Sequence, residues 1–382
     1  MPFTLEQLRA LDGAKWNRYG PDVLSAWVAD MDFRQPQVAL DAVVSVAERA
    51  DLGYNRSALY TIPEAFSRWQ VTSHGWQPDE GSVKVFNDVL HAISIALYLH
   101  TDPGDGVVLF TPIYPPFIDS LSSSSRRRVD VPLEPGSWRL NPEWLADAID
   151  PGTKAILLCN PHNPTGRVFD QAELRAIASV AEAHDLLIIS DEVWADLLHP
   201  GSTHRPIALL DDDTAARTIT ITSASKSFNL AGLRTAVAHV GHQPLLNAIN
   251  DAGTHFLGEV STPGAEATIA AWTHGRPWLD QMKAHLDVQR RHLNARLSAE
   301  APAVGYSLPE ATYLAWLDFT RTGLGHEPSR VLLKQYGLAL SSGLGFGPLG
   351  VGFARMNFAT SAEILDLLID RIVAAVTGAH PD

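Results

Sequence analysis

The sequence predicts an α/β fold, with a large domain built on a mostly parallel sheet sandwiched by helices and a smaller α/β domain after it. Three observations carry that prediction. From Asp102 to about Thr222, short and nearly continuous apolar runs alternate with amphipathic helical stretches, the pattern of parallel strands covered on both faces. A second grouping of strand and helix signals follows Gly232. Finally, Tyr114, Asn163, Asp191 and Lys226 each fall just past the carboxyl end of an apparent strand, the edge at which open α/β sheets bind ligands. A length of 382 residues leaves room for both domains.

Taken in order, the chain opens with little periodicity until about Gln37, where Val38, Leu40, Val43, Val44 and Val46 mark a helix. Gly53 and Tyr54, with Asn55 and Arg56, interrupt the pattern. A helix from about Ile62 to His74 is expected next, with Pro63 at its start, where a missing amide donor costs nothing. Val83–Phe86 reads as a strand, and Asn87 or Asp88 as the N-cap of a helix running through Leu99, whose first amides are free for an anion. Strands follow over Gly106–Phe110, Lys154–Cys159, Leu186–Ser190 and Thr218–Thr222, with an amphipathic helix from Gln171 to His184 among them. Beyond Gly232 come a strand over Thr235–Val240, helices to about Ala299, a strand region over Tyr306–Phe319, a helix over Ser329–Tyr336, a strand over Phe353–Phe358 and a closing helix over Glu363–Val376.

Composition narrows the function. The formal charge of −14, from 29 basic and 43 acidic residues, argues against general affinity for nucleic acid or anionic membrane. Arg126-Arg-Arg128 is the only basic run and reads as a solvated loop or strand end. Cys159 is the only cysteine, which excludes an intrachain disulfide and suits a reducing compartment. The N-terminus lacks a basic region followed by an apolar run, and no stretch approaches the roughly 18 continuous apolar residues of a membrane span. A soluble, cytoplasmic protein is expected.

Two patterns mislead. Gly345-Phe-Gly347-Pro-Leu-Gly350 has dinucleotide-fingerprint spacing, but no βαβ unit surrounds it and Pro348 suits the turn poorly. A flexible loop lining a site fits it better. The 15 histidines show no ligand spacing on a recognisable scaffold, and Asp30 and Asp32 read as structural acids rather than metal ligands.

The informative stretch is Ser223-Ala-Ser-Lys226-Ser-Phe-Asn-Leu-Ala-Gly232-Leu-Arg234, which follows the β-branched run Thr218–Thr222. A lysine buried at a strand end is costly unless it is paired or chemically used. An amine that forms a Schiff base with a carbonyl is such a use. Asp191, directly after an apolar strand, is otherwise an N-cap, but it is also the carboxylate that keeps a pyridine nitrogen protonated. Arg234 can bind a phosphate together with Ser223 and the free amides near Val89 and Leu90.

With these residues the chain resembles a fold-type I pyridoxal-phosphate enzyme of the class I/II aminotransferase superfamily. Asn160-Pro-His-Asn163-Pro-Thr-Gly166, Ser190-Asp191-Glu192, Ser223-Ala-Ser-Lys226-Ser-Phe and Arg355-Met-Asn357-Phe358 stand in that family's order and spacing. Within it the chain most resembles the MalY/PatB type of cystathionine β-lyase, through Trp27–Phe33, Gly53-Tyr54, Pro112–Phe117, Ala311–Asp318 and Leu340–Phe346. The resemblance implies a seven-stranded type of sheet in a large domain over 46–275. It also implies a small domain over 276–382, which the segment 1–45 joins.

By the same resemblance, Lys226 carries pyridoxal 5′-phosphate as a Schiff base, Asp191 pairs the pyridine nitrogen, Asn163 bonds the phenolic oxygen and Tyr114 stacks on the ring. Ser223, Arg234 and the Val89 and Leu90 amides hold the phosphate. Tyr54 reaches the phosphate of the neighbouring subunit, which implies a homodimer with shared sites. Arg355 clamps the substrate α-carboxylate, with Ala29 and Asn163 beside it. Trp194 stands where aminotransferases usually place a tyrosine and these lyases often a histidine. The implied reaction is α,β-elimination of cystathionine or related S-substituted cysteines, with Lys226 as the base that removes the Cα proton. The alternative is an amino-acid aminotransferase, which shares every step up to the carbanion and which Arg234 mildly favours. A non-enzymatic binding role fits poorly with so complete a set.

Overall fold

Alternating side-chain direction along each strand builds the centre of the molecule. In the computed structural model, which describes residues 2–54 and 58–378, seven strands form one sheet: β1 (Val83–Phe86), β2 (Gly106–Thr111), β3 (Arg127–Pro132), β4 (Thr153–Cys159), β5 (Leu187–Asp191), β6 (Thr218–Thr222) and β7 (Ala236–Val240). Their order is β1-β7-β6-β5-β4-β2-β3. The pairs from β6 to β3 are parallel, and β7 alone runs opposite to both its neighbours. Val107, Leu109, Leu157 and Ile189 pack into one buried cluster, while Val108, Phe110, Ile156, Leu158 and Ile188 pack into another. Neighbouring residues on one strand thus enter different cores, which is why these strands read as apolar throughout.

Helices cover the sheet and extend from it. Among them are α1 (Gln37–Glu48), α2 (Ala58–His74), α3 (Val89–His100), α4 (Gln171–Ala183), α5 (Thr262–His274) and α6 (Arg276–Glu300). Asp88 caps α3 by accepting from the His91 amide at 2.7 Å, and Asp170 caps α4 in a capping box with Glu173. A second sheet, in the order β10-β11-β9-β8, comprises β8 (Gly305–Tyr306), β9 (Leu314–Asp318), β10 (Ser341–Ser342) and β11 (Phe353–Asn357). Helices α7 (Pro328–Tyr336) and α8 (Ala362–Thr377) accompany it. Leu24–Ser25 pairs in parallel with Leu338–Ala339, so the start of the chain packs with its last third.

Three sequence expectations need correction. Pro63 lies inside α2 rather than at its start, because the helix already runs from Ala58. Its missing donor therefore falls early in a helix whose Phe66 and Trp69 are buried. The basic run does open a strand, β3, but Arg126 is buried and donates to Thr101 Oγ1 at 2.9 Å instead of being solvated. Gly345–Gly350 belongs to two consecutive 3₁₀ turns, and a Cβ on Gly350 would collide with the carbonyl of Gly343. Gly350 thus serves close backbone packing, while Phe346 of the same segment lines the cavity at the strand ends, as expected. Asn55 and Arg56 of the predicted turn lie outside the described residues. No helix among the described residues is long and apolar enough to cross a membrane.

Candidate active site

A cavity of about 850 Å³ opens at the carboxyl end of the parallel strands. It is lined by Ala29, Val89, Leu90, Tyr114, Asn163, Asp191, Trp194, Ser223, Lys226, Arg234 and Arg355. One set of expected residues, scattered over more than 300 positions of sequence, therefore meets in one place. Tyr54 is the exception. It does not line the cavity, and its ring is 98% exposed.

Lys226 is raised into the cavity by a helical turn that Ser223 caps, its Oγ accepting from the Ser225 amide at 3.0 Å. The Lys226 amine donates to the carbonyl of Ala29 at 2.9 Å and lies 5.9 Å from the centre of the Trp194 ring. Loss of surrounding water lowers its pKa; Arg355 adds to this, while Asp30 and Asp191 oppose it. Two asparagines bring Ala29 there. Asn229 accepts from the Met31 amide at 3.0 Å and donates to the carbonyls of Met31 and Phe33, both at 3.0 Å. Asn357 donates to the carbonyls of Val28 at 2.8 Å and Asp30 at 2.6 Å. Asp32 is buried against Lys15 Nζ at 2.7 Å and Trp16 Nε1 at 2.8 Å. Among the described residues no cluster of histidine, cysteine and acid side chains is arranged to hold a metal.

Asp191 ends β5, buried, with Oδ1 accepting from the Val193 amide at 3.0 Å. Burial pushes its pKa up to about 7; Glu192 adds to this, and the Val193 amide and Lys226 pull the other way. Glu192 is fixed behind it by the Ser190 hydroxyl at 2.9 Å and His204 Nε2 at 2.8 Å. Burial raises the pKa of the Cys159 thiol well above its ordinary value, which makes it a packing residue rather than a nucleophile.

Arg355 projects from β11 and is 5% exposed. Its Nη1 donates to Asn163 Oδ1 at 2.9 Å, and its Nη2 to the carbonyl of Trp27 at 3.1 Å and to Ser341 Oγ at 3.3 Å. Nε is buried without a partner among the described residues. Desolvation lowers its pKa to about 10, so it stays charged at neutral pH. Tyr114 stands half-buried at the head of the helix Pro115–Ser123, edge-on to Phe117 with ring centres 5.7 Å apart. Trp194 meets Tyr313 edge-on at 4.9 Å.

Where the resemblance expects phosphate, the parts fit an anion. The Val89 and Leu90 amides begin α3 and take no partner in the described chain. Arg234 bonds Asp88, the cap of that helix, and Ser223 Oγ donates to the Thr235 carbonyl at 2.6 Å. Three further contributors lie inside the resemblance stretches Ala311–Asp318 and Leu340–Phe346, which give them no separate role. Tyr313 donates to the Ala29 carbonyl at 2.9 Å, Ser341 touches Arg355, and Phe346 lies 5.1 Å from the Arg355 guanidinium. Those stretches point to the neighbourhood, but only folding pairs Tyr313 with Ala29 and sets Ser341 and Phe346 beside Arg355.

Relatives agree with this geometry. Cystathionine β-lyase PatB of Bacillus subtilis is 33% identical over 97% of this chain and 98% of its own. A cystathionine β-lyase of Corynebacterium glutamicum is 32% identical over 97% and 99%. Cystalysin from Treponema denticola, whose structure contains pyridoxal 5′-phosphate, superposes with a TM-score of 0.92 at 26% identity, covering 99% of this chain and 98% of its own. The sequence profile of aminotransferase class I and II matches residues 30–372, and the chain belongs to that family.

Proposed function

We propose that this protein is a pyridoxal-phosphate-dependent carbon–sulfur β-lyase that cleaves cystathionine or related S-substituted cysteines to a thiol, pyruvate and ammonia. The observation that carries the reading is the convergence of Lys226, Asp191, Asn163 and Arg355 on one cavity, in a chain similar to cystathionine β-lyases over nearly its whole length. The residues present fit the cofactor: a desolvated amine, a buried acid with no salt-bridge partner among the described residues, and helix amides beside Arg234 and Ser223 that are unpartnered among them.

The chemistry such a group supplies when bound is an electron sink for a carbanion at the substrate Cα. Lys226 would anchor it, and the same amine would serve as the base that takes the Cα proton at Nζ; its lowered pKa favours the neutral base. Asp191 would pair a ring nitrogen as an ionised carboxylate. Asn163 would bond the phenolic oxygen, Tyr114 would cover the ring, and Trp194 would close the wall beside Lys226. Val89, Leu90, Ser223 and Arg234 hold the phosphate. Arg355 orients the substrate carboxylate next to Ala29 and Asn163. Tyr54, exposed in the single chain, serves the partner subunit's site in a homodimer. The two sheets support a large domain over 46–275 and a small one over 276–382, and the single buried cysteine suits a cytoplasmic setting.

The test is incubation of the holoenzyme with cystathionine and no keto acid. Pyruvate and free thiol are expected together. Turnover that appears only when a keto acid is added would replace the lyase with the aminotransferase.

A further inference from the structure

Asp191 and Glu192 are consecutive acids at the end of β5, only 4% and 3% exposed. Asp191 lines the cavity and Glu192 does not. Away from water a charge on one raises the proton affinity of the other. Their hydrogen bonds decide which of them keeps the charge. Glu192 Oε1 accepts from the Ser190 hydroxyl at 2.9 Å and the Ile207 amide at 3.4 Å, and Oε2 from His204 Nε2 at 2.8 Å. Asp191 Oδ1 accepts from the Val193 amide alone, and Oδ2 has only the Cys159 thiol, at 4.0 Å, among the described residues. Donors favour an ionised carboxylate, so the charge belongs to Glu192 and the proton to Asp191.

His204 does not cancel that charge. Asn160 Oδ1 accepts from the Phe169 amide at 3.0 Å, which leaves Asn160 Nδ2 facing His204 Nδ1 at 3.5 Å. An amide N–H at that place requires a lone pair on Nδ1, so the imidazole is neutral with its hydrogen on Nε2. Behind it, His74 meets the ring edge-on at 5.4 Å and is itself paired with Asp196 at 3.1 Å. On the other side, Lys226 and Tyr114 share the cavity with Asp191, and the Lys226 amine is bonded to the Ala29 carbonyl.

Resting on the cofactor part of the lyase reading, we propose that the apoprotein stores one proton on Asp191 Oδ2, kept there by the Glu192 charge, and that Asp191 passes it to the ring nitrogen when pyridoxal phosphate is loaded. The O–H bond breaks as the N–H bond forms. A neutral carboxyl and a neutral pyridine become a carboxylate and a pyridinium, and the ring draws no proton from solvent. Glu192 is a positioning residue for that proton.

The store is tested before any cofactor is added. Between pH 6 and 7 the apoprotein should show the infrared carbonyl band of a protonated carboxyl, absent from Asp191→Asn and weakened in Glu192→Gln. Loading with pyridoxal phosphate is then followed by a pH indicator in weak buffer. If loss of the Glu192 charge lowers the proton affinity of Asp191 by about one pH unit, Glu192→Gln takes up about half a proton more per site than the wild type. In the Asp191→Asn background the same substitution should have little effect. A band that survives Asp191→Asn, or equal uptake by wild type and Glu192→Gln, would overturn the proposal. The first of these needs no Glu192 variant, so it decides the matter even if Glu192→Gln does not fold. An apoprotein that takes up no pyridoxal phosphate would count against the cofactor reading alone, and the infrared band would still locate the proton.

Discussion

The Lys226 amine donates to the main-chain carbonyl of Ala29 at 2.9 Å, across 197 residues of sequence. The Tyr313 hydroxyl donates to the same oxygen, also at 2.9 Å. One carbonyl therefore sets the height of the amine above the cavity floor, and Asn229 and Asn357 fix that carbonyl from either side. Removing Tyr313's hydroxyl leaves Lys226 as the only side-chain donor to it among the described residues. Tyr313→Phe should cost about 1 kcal/mol of stability and lower kcat more than it raises KM, with the Schiff-base absorption retained. Lys226→Ala should lose that absorption altogether. An unchanged kcat in Tyr313→Phe would deny the carbonyl a positioning role.

Arg355 makes a different kind of prediction, because its fork is already partly engaged. Nη1 and Nη2 reach Asn163, Trp27 and Ser341, and Nε is left over. Arg355→Lys keeps a positive charge but cannot present two parallel donors to a carboxylate. Loss of one charge-assisted hydrogen bond, about 1.5–3 kcal/mol, raises KM about 10- to 100-fold. Steady-state kinetics against substrate concentration checks it, and a KM left at the wild-type value would remove Arg355 from carboxylate binding.

Asp191 ties the site to pH. With its folded pKa pushed up to about 7 and an unfolded value near 4, the folded apoprotein holds more protons than the unfolded chain between those limits. Stability contributed by this group therefore falls as pH rises from about 4 to about 7, and is level above. Asp191→Asn removes that loss. The variant apoprotein should melt above the wild type at pH 8, and the gap should close towards pH 4. A cationic ring nitrogen reverses the sign by favouring the carboxylate, so in the holoprotein the same substitution should destabilise and abolish most activity. A gap in the apoprotein that ignores pH would contradict the raised pKa.

How much of this was legible depended on the kind of group involved. The strands could be read because both faces are buried, so Leu157 and Leu158 are equally apolar though they enter different cores. Strand-end side chains such as Lys226 and Asp191 could be read because polar atoms break an apolar run. The Ala29 carbonyl could not, since every residue carries one and only tertiary packing selects it. Ser341 belongs to the Leu340–Phe346 stretch, but nothing in that stretch ties it to Arg355 until β10 pairs with β11 and sets the two opposite each other. Arg126 and Pro63 were misread for a related reason: a local charge or ring says little when its partners, Thr101 and the helix around it, are fixed by packing. Tyr54 lies outside the cavity lining of its own chain and is 98% exposed, so the fold of one chain gives it no partner to be read against.

The last prediction concerns Asp30 and Asp32, the two acids that read as structural in the sequence. Asp32 is buried against Lys15 at 2.7 Å, with both side chains almost fully covered, and Lys15 also donates to the Asp30 carbonyl at 3.2 Å. The pair pins the strip that carries Ala29 towards Lys226. Lys15→Met leaves Asp32 with only the Trp16 donor at 2.8 Å and should destabilise the fold by about 3–5 kcal/mol. Adding Asp32→Asn removes the stranded charge and should recover part of that loss. Urea unfolding of the two single variants and the double variant measures the coupling. If the effects simply add, the pair is not a unit. If they do not, the kcat of Lys15→Met should fall together with its stability, because the carbonyl that holds the Lys226 amine moves with the strip.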